Sequence, residues 1–146
     1  MKQEKYIEFL LPSEINYLEK TRNEVKQFLL DNDYSNKIAI QVMLSIDEAV
    51  SNIMEYAHKW EPKLITTIKI WVNEDNMVIK IYDEGKHDFF PVDKGKLDVK
   101  EHFKTKKMHR GLGWYIIRKV MDEVEYEHLE KGNLLTLIKN KEKVNV

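Results

Sequence analysis

Glu48 and Asn52 are the first residues in the chain whose types and spacing suggest chemistry. They lie four positions apart within LSIDEAVSNIMEYAHK, where Ile46, Ala49, Val50, Ile53 and Ala57 recur at intervals of three and four. That recurrence predicts one apolar stripe of an α-helix. Residues four apart are neighbours on a helix surface, so a carboxylate and an amide stand side by side at the edge of the buried face. An amide oxygen suits Mg²⁺ that keeps most of its waters. A carboxylate there can act as a general base. Taken alone, such a pair is more often plain solvated surface.

Two further features are also weak when taken singly. Asp83 has the parity of Met77, Ile79 and Ile81 and ends a strand, so it faces the core side and needs a partner. Gly85 follows it, where a missing side chain lets a ligand approach the backbone. An Asp-X-Gly is otherwise usually a turn. Arg110, Gly111, Leu112 and Gly113 precede an amphipathic run through Trp114, Ile117, Val120 and Met121. Glycines opening a helix leave amides free for phosphate. A lone Gly-X-Gly does not prove this.

The elements that must position these residues follow from periodicity. Lys5 to Leu11 predicts a strand, and Pro12-Ser13-Glu14 opens a helix with Ser13 as N-cap. Asp31-Asn32-Asp33 ends that helix, and Ser35 or Asn36 caps the next, which runs to about Lys59. Leu64 to Val72 alternates as a strand, Asn73 to Asn76 turns, and Met77 to Asp83 returns. From Gly85 to His109 periodicity fades, apart from a short helix near Val99–Phe103. Val124 to His128, a turn at Lys131-Gly132-Asn133, and Leu134 to Lys139 form a last hairpin. This order predicts an α+β two-layer sandwich: a mostly antiparallel sheet with helices on one face.

Composition narrows the function classes. The chain has 146 residues, enough for one domain with a sizeable core, and we expect a single unit over 1–146. Lys+Arg 24 nearly balance Asp+Glu 25, so no field of one sign points to nucleic acid or membrane. The lack of cysteine excludes disulfides and thiol chemistry. MKQEKYIEF lacks the apolar run of a signal peptide, and no stretch is apolar enough to span a bilayer, so a cytoplasmic protein is expected. Lys100, Lys104, Lys106, Lys107 and Arg110 form a basic run that fits phosphate neutralisation better than a nucleic-acid patch. His102 and His109 lack zinc-site spacing. Trp60, Trp71 and Trp114 are expected in packing.

The order and spacing of LSIDEAVSNIMEYAHK, IYDEG and RGLGWYIIRKVMDEVEY resemble the asparagine and glycine boxes of the GHKL (Bergerat-fold, histidine-kinase-like) ATPase superfamily. Within it, the chain is similar to the anti-sigma-factor serine/threonine kinases from about Glu4 to Lys139. The resemblance implies ATP and Mg²⁺ as cofactors, with Glu48 as base and Asn52 on the metal. It places Asp83 on the adenine amine, Gly85 beside the base, residues 86–109 as the ATP lid, and Arg110, Gly111, Leu112 and Gly113 at the phosphates. It assigns Thr136 the support of Asp83. The implied partners are a STAS-type anti-sigma-factor antagonist, which is phosphorylated, and a sigma factor. A homodimer is also implied, with the Ser13–Leu30 helix as a candidate interface. A nucleotide-gated binding switch without turnover is the competing reading, ahead of an isolated histidine-kinase ATPase domain. The chain departs from the family at two places. Tyr56-Ala57-His58 replaces His-Ala-Tyr, and His87 replaces the second glycine of the Asp-X-Gly-X-Gly box.

Overall fold

Alternating burial builds the sheet. In Ile65–Val72 and Asn76–Asp83 every second residue is buried, including Ile68, Ile70, Ile79 and Ile81. The intervening side chains face outward, as a period of two requires. Each such isoleucine contributes about 1.5–3 kcal/mol by leaving water. The structure is a computed structural model that describes residues 4–85 and 108–141, with backbone alone for 108–113. The short helix expected near Val99–Phe103, the lid and His87 lie outside the described residues.

The strands are β1 (Lys5–Pro12), β2 (Ile65–Val72), β3 (Asn76–Asp83), β4 (Glu123–Leu129) and β5 (Gly132–Asn140). They form one sheet in the order β1-β2-β3-β5-β4, and every pairing is antiparallel. The helices are α1 (Ile15–Asp31), α2 (Asn36–Asn52) and α3 (Met108–Val120), and α2 packs against both α1 and α3. Val25, Leu29, Val42, Ile46, Val50, Trp114 and Ile117 join the inner sheet residues in one buried cluster. The outer sheet face carries exposed Tyr6 and Leu10, and the Tyr6 and Trp71 rings meet at 5.2 Å. This is the expected α+β two-layer arrangement.

Local signals explain most boundaries. The Ser35 side chain accepts from the Ile38 amide at 3.2 Å and caps α2. Asn73 Oδ1 accepts from the amides of Asp75 and Asn76 and closes the β2–β3 turn. Three expectations change. Ser13 does not cap α1; Glu14 occupies the cap position, and Ser13 is buried against His58 and Leu64. The second helix does not stay α-helical to Lys59. After Asn52 it widens into a π turn, Ile53–Ala57, in which the His58 amide bonds the Ile53 carbonyl at 2.9 Å. Trp60 is exposed rather than packed. On α1, the helix suggested as an interface, Val25 belongs to the core and Phe28 packs against it, while Ile15 and Tyr17 are exposed.

Candidate nucleotide site

The site is assembled where α2 ends and β3 ends. Asn52 closes α2 and is buried; Glu48, one turn earlier, is half-buried. The π turn carries the chain from Asn52 to Ala57 and His58, which meet Gly85. A Cβ at Gly85 would lie 2.6 Å from Ala57 Cβ and 2.9 Å from Asp83 Oδ1. Real side chains do not approach so closely, so glycine is required by packing as well as by any ligand.

Asp83 is buried, with 1% of its surface exposed. Its Oδ1 accepts from the Gly85 amide at 2.7 Å and from Asn133 Nδ2 at 3.2 Å. No described residue bonds its Oδ2. Burial pushes the carboxyl up to about 6, against the pull of the Asn133 and Gly85 hydrogen bonds and with Glu84 adding a like charge. Glu84 itself turns back, and its Oε1 accepts from the Ile65 amide at 2.8 Å.

Asn133 connects three groups. Its amide donates to Asp83 and, at 3.1 Å, to the Gly85 carbonyl. Both amide protons are then used, so its Oδ1 must accept, and His128 Nδ1 at 2.8 Å is the donor. The preceding Gly132 has φ +110, and a Cβ there would fall 2.0 Å from the Asp83 carbonyl oxygen. Gly132 therefore lets β5 close on the strand end that carries Asp83.

Asn133 also corrects the expectation for Thr136. In the β3–β5 register Asp83 faces Asn133, while Thr136 faces Lys80 on the outer side. An odd offset along a strand puts Thr136 on the face away from Asp83. The residue that supports Asp83 is Asn133, three positions earlier. The only sequence signal for it is the Gly132-Asn133 step, which by itself spells no more than a turn. Asp83 and Gly85 lie against the turn that follows Asn52, through His58 and Ala57.

The phosphate end differs in detail. Helix α3 begins at Met108, so Arg110, Gly111, Leu112 and Gly113 occupy its first two turns rather than preceding it. Gly111 therefore does not open the helix. Met108, His109 and Arg110 carry no helix-breaking chemistry, and the packing of Trp114 and Ile117 offsets the roughly 1 kcal/mol cost of each helical glycine. The unbonded amides of a helix start belong here to the turn ahead of Gly111.

Among the described residues no three carboxylates or imidazoles converge as a metal cage. A cation held by Asn52 alone would complete its shell with phosphate oxygens and water, which is how Mg²⁺ is ordinarily held. The donor set of Asn52 therefore fits Mg-nucleotide. The acceptor on Asp83 Oδ2 and the bare backbone at Gly85 fit an adenine.

Comparison with known proteins points the same way. An anti-sigma F factor of Thermoanaerobacter sp. (strain X514) is 27% identical over 143 residues, covering 91% of this chain and 96% of that protein. The serine-protein kinase RsbW of Bacillus subtilis (strain 168) is 26% identical over 127 residues, covering 84% and 78%. The fold is shared with a solved SiaB–SiaC complex from Pseudomonas aeruginosa, at TM-score 0.61 and 18% identity over 92% of this chain and 88% of that one. It is shared too with the RsbU and RsbW domains of a Mycobacterium tuberculosis protein, at TM-score 0.59 and 14% identity, where this chain spans 31% of a longer one. The histidine kinase-like ATPase domain matches residues 11–139, which is most of the chain, and the chain belongs to that family.

Proposed function

We propose that this chain is an ATP-dependent serine/threonine kinase and anti-sigma factor. It phosphorylates a small STAS-type antagonist and holds a sigma factor once that antagonist is phosphorylated. The observation that carries the reading is the buried Asp83. It is held on one oxygen by Gly85 and Asn133 and left with acceptor capacity on the other, beside a glycine that presents bare backbone. The names of the relatives above support the partner-switching part. The unit is expected to work as a homodimer in the cytoplasm.

In this reading Asp83 accepts from the exocyclic amine of adenine, and Gly85 lies along the base. Asn52 gives its amide oxygen to Mg²⁺, which supplies charge neutralisation across the phosphates. The opening turn of α3, ahead of Gly111, offers its unbonded backbone amides to the phosphates, Gly111 and Gly113 add no side-chain bulk there, and Arg110 adds positive charge. Glu48 accepts the proton of the attacking hydroxyl and holds it in line. Water is excluded below the base by the π turn, since Ile53, Met54 and Ala57 are buried.

The test uses radiolabelled ATP and purified STAS-type candidates. Label on the antagonist's serine or threonine is expected with the natural chain. Glu48→Gln should lose transfer while keeping ATP binding. Full-rate transfer by Glu48→Gln would remove Glu48 from its role. Binding of ATP with no transfer to any candidate would replace the kinase by a nucleotide-gated switch.

A further inference from the structure

His58 is one of the few fully buried polar side chains, and the nucleotide reading gives it no task. Its side chain is 0% exposed. Nδ1 lies 2.7 Å from Ser13 Oγ, and Nε2 lies 3.9 Å from Asp83 Oδ1 with no hydrogen-bond partner. Thr66 Oγ1 is likewise buried without a partner, on the residue directly opposite Asp83 in the β2–β3 register. Two orphaned polar atoms therefore flank the carboxylate that would read the base.

One proton decides the arrangement. The Ser13 hydroxyl can give it to His58 Nδ1 at 2.7 Å or to the Leu64 carbonyl at 3.3 Å. In the second case Nε2 carries a lone pair toward a carboxylate, which is repulsive. In the first case Nε2 carries the hydrogen, and its N–H dipole favours the ionised carboxylate. The 2.7 Å contact is made in either case, with His58 Nδ1 donating to Ser13 in the second, so it is the carboxylate facing Nε2 that selects the first.

We infer that His58, set by Ser13, is a positioning residue that keeps Asp83 ionised and so selects 6-amino over 6-oxo purine nucleotides. An ionised Asp83 accepts from the 6-amino group. A protonated Asp83 donates to a 6-oxo group instead. The selection clause rests on the nucleotide site proposed above. The groups facing Asp83 are few: His58 after the π turn, Thr66 on β2, Asn133 on β5 and the Gly85 amide, with Glu84 and His128 as the other titratable neighbours. Burial holds His58 below the ordinary histidine range, so it acts as a neutral donor near pH 7.

Two measurements on the full chain decide this. The first needs no nucleotide: the carboxyl carbon of Asp83 is followed by NMR against pH in the natural chain and in His58→Phe, His58→Gln and Ser13→Ala. His58→Phe should raise the midpoint by about one unit, corresponding to a tenfold change in proton affinity. Ser13→Ala should move it the same way by less, and His58→Gln, which retains an N–H, should bring it back. The second compares ADP with IDP near neutral pH, where His58→Phe should narrow the preference for ADP by up to about tenfold. An unmoved midpoint in folded His58→Phe overturns the inference, and so does failure of His58→Gln to restore it. If His58→Phe does not fold, the midpoint in Ser13→Ala decides instead: a rise upholds the inference and an unmoved midpoint overturns it. A natural chain that binds neither nucleotide sinks the proposed function together with the selection clause, while the NMR shift still decides the His58–Asp83 coupling.

Discussion

Asn133→Ala offers the sharpest test of how the site is held. The substitution deletes one donor to a buried carboxylate and one to a buried carbonyl, at 3.2 and 3.1 Å. A hydrogen bond to a charged group contributes about 1.5–3 kcal/mol and a neutral one about 0.5–1.5, giving a loss of roughly 2–4.5 kcal/mol if water does not replace them. The acceptor of His128 is lost as well. Urea unfolding at neutral pH should therefore show a clearly lowered midpoint with an unchanged slope. Because the Asn133 bond lowers the pKa of Asp83, its removal should also raise the carboxyl above about 6. ADP binding near neutral pH should weaken as the carboxylate is partly protonated. Asn133→Thr, which keeps one donor, should recover part of each loss. A stability change under about 0.5 kcal/mol, the range of an ordinary surface substitution, would refute the network.

Other consequences concern pH, packing and capping. Asp83 is raised from 3.8 to about 6 in the folded chain, so the folded state holds its proton more tightly. Its contribution to stability is then fully present below about 3.8 and is lost as pH rises through about 6. Asp83→Asn should flatten that fall, keep or increase urea stability at neutral pH, and weaken ATP binding. The difference between the two chains isolates Asp83 from His58, whose lowered pKa slopes the other way. Gly85→Ala meets Ala57 Cβ at 2.6 Å and should cost about 1–3 kcal/mol, read by thermal unfolding, with loss of nucleotide binding. Ser35→Ala removes the α2 cap and should cost about 1 kcal/mol without changing ADP affinity.

Much of the fold was legible because the inner and outer faces of β2 and β3 differ so cleanly in polarity. The Ser35 cap and the Asn73 turn were legible because their partners lie within three residues. Asp83 was legible for the same reason as its strand: parity alone turned a carboxylate toward the core. β5 was harder. Leu134, Leu135, Leu137 and Ile138 are apolar on both faces, so parity could not separate Thr136 from Asn133. Only pairing with β3, about 50 residues earlier, does so. Ser13 failed similarly: a good local cap residue was claimed by a histidine 45 positions away. The π turn was not legible because Ile53–Ala57 holds no proline, glycine or other residue that marks a break in a helix.

That turn changes how positions beyond Asn52 are counted along the chain. A π turn closes five residues on instead of four, so it accommodates one residue more than the α-helix it interrupts. Counting in steps of four from Asn52 arrives at Tyr56, yet the side chain delivered to within 3.9 Å of Asp83 Oδ1 is His58. Removing one residue between Ile53 and Ala57 should restore α-helical spacing, withdraw His58 from Asp83, and set a different side chain beside that carboxylate.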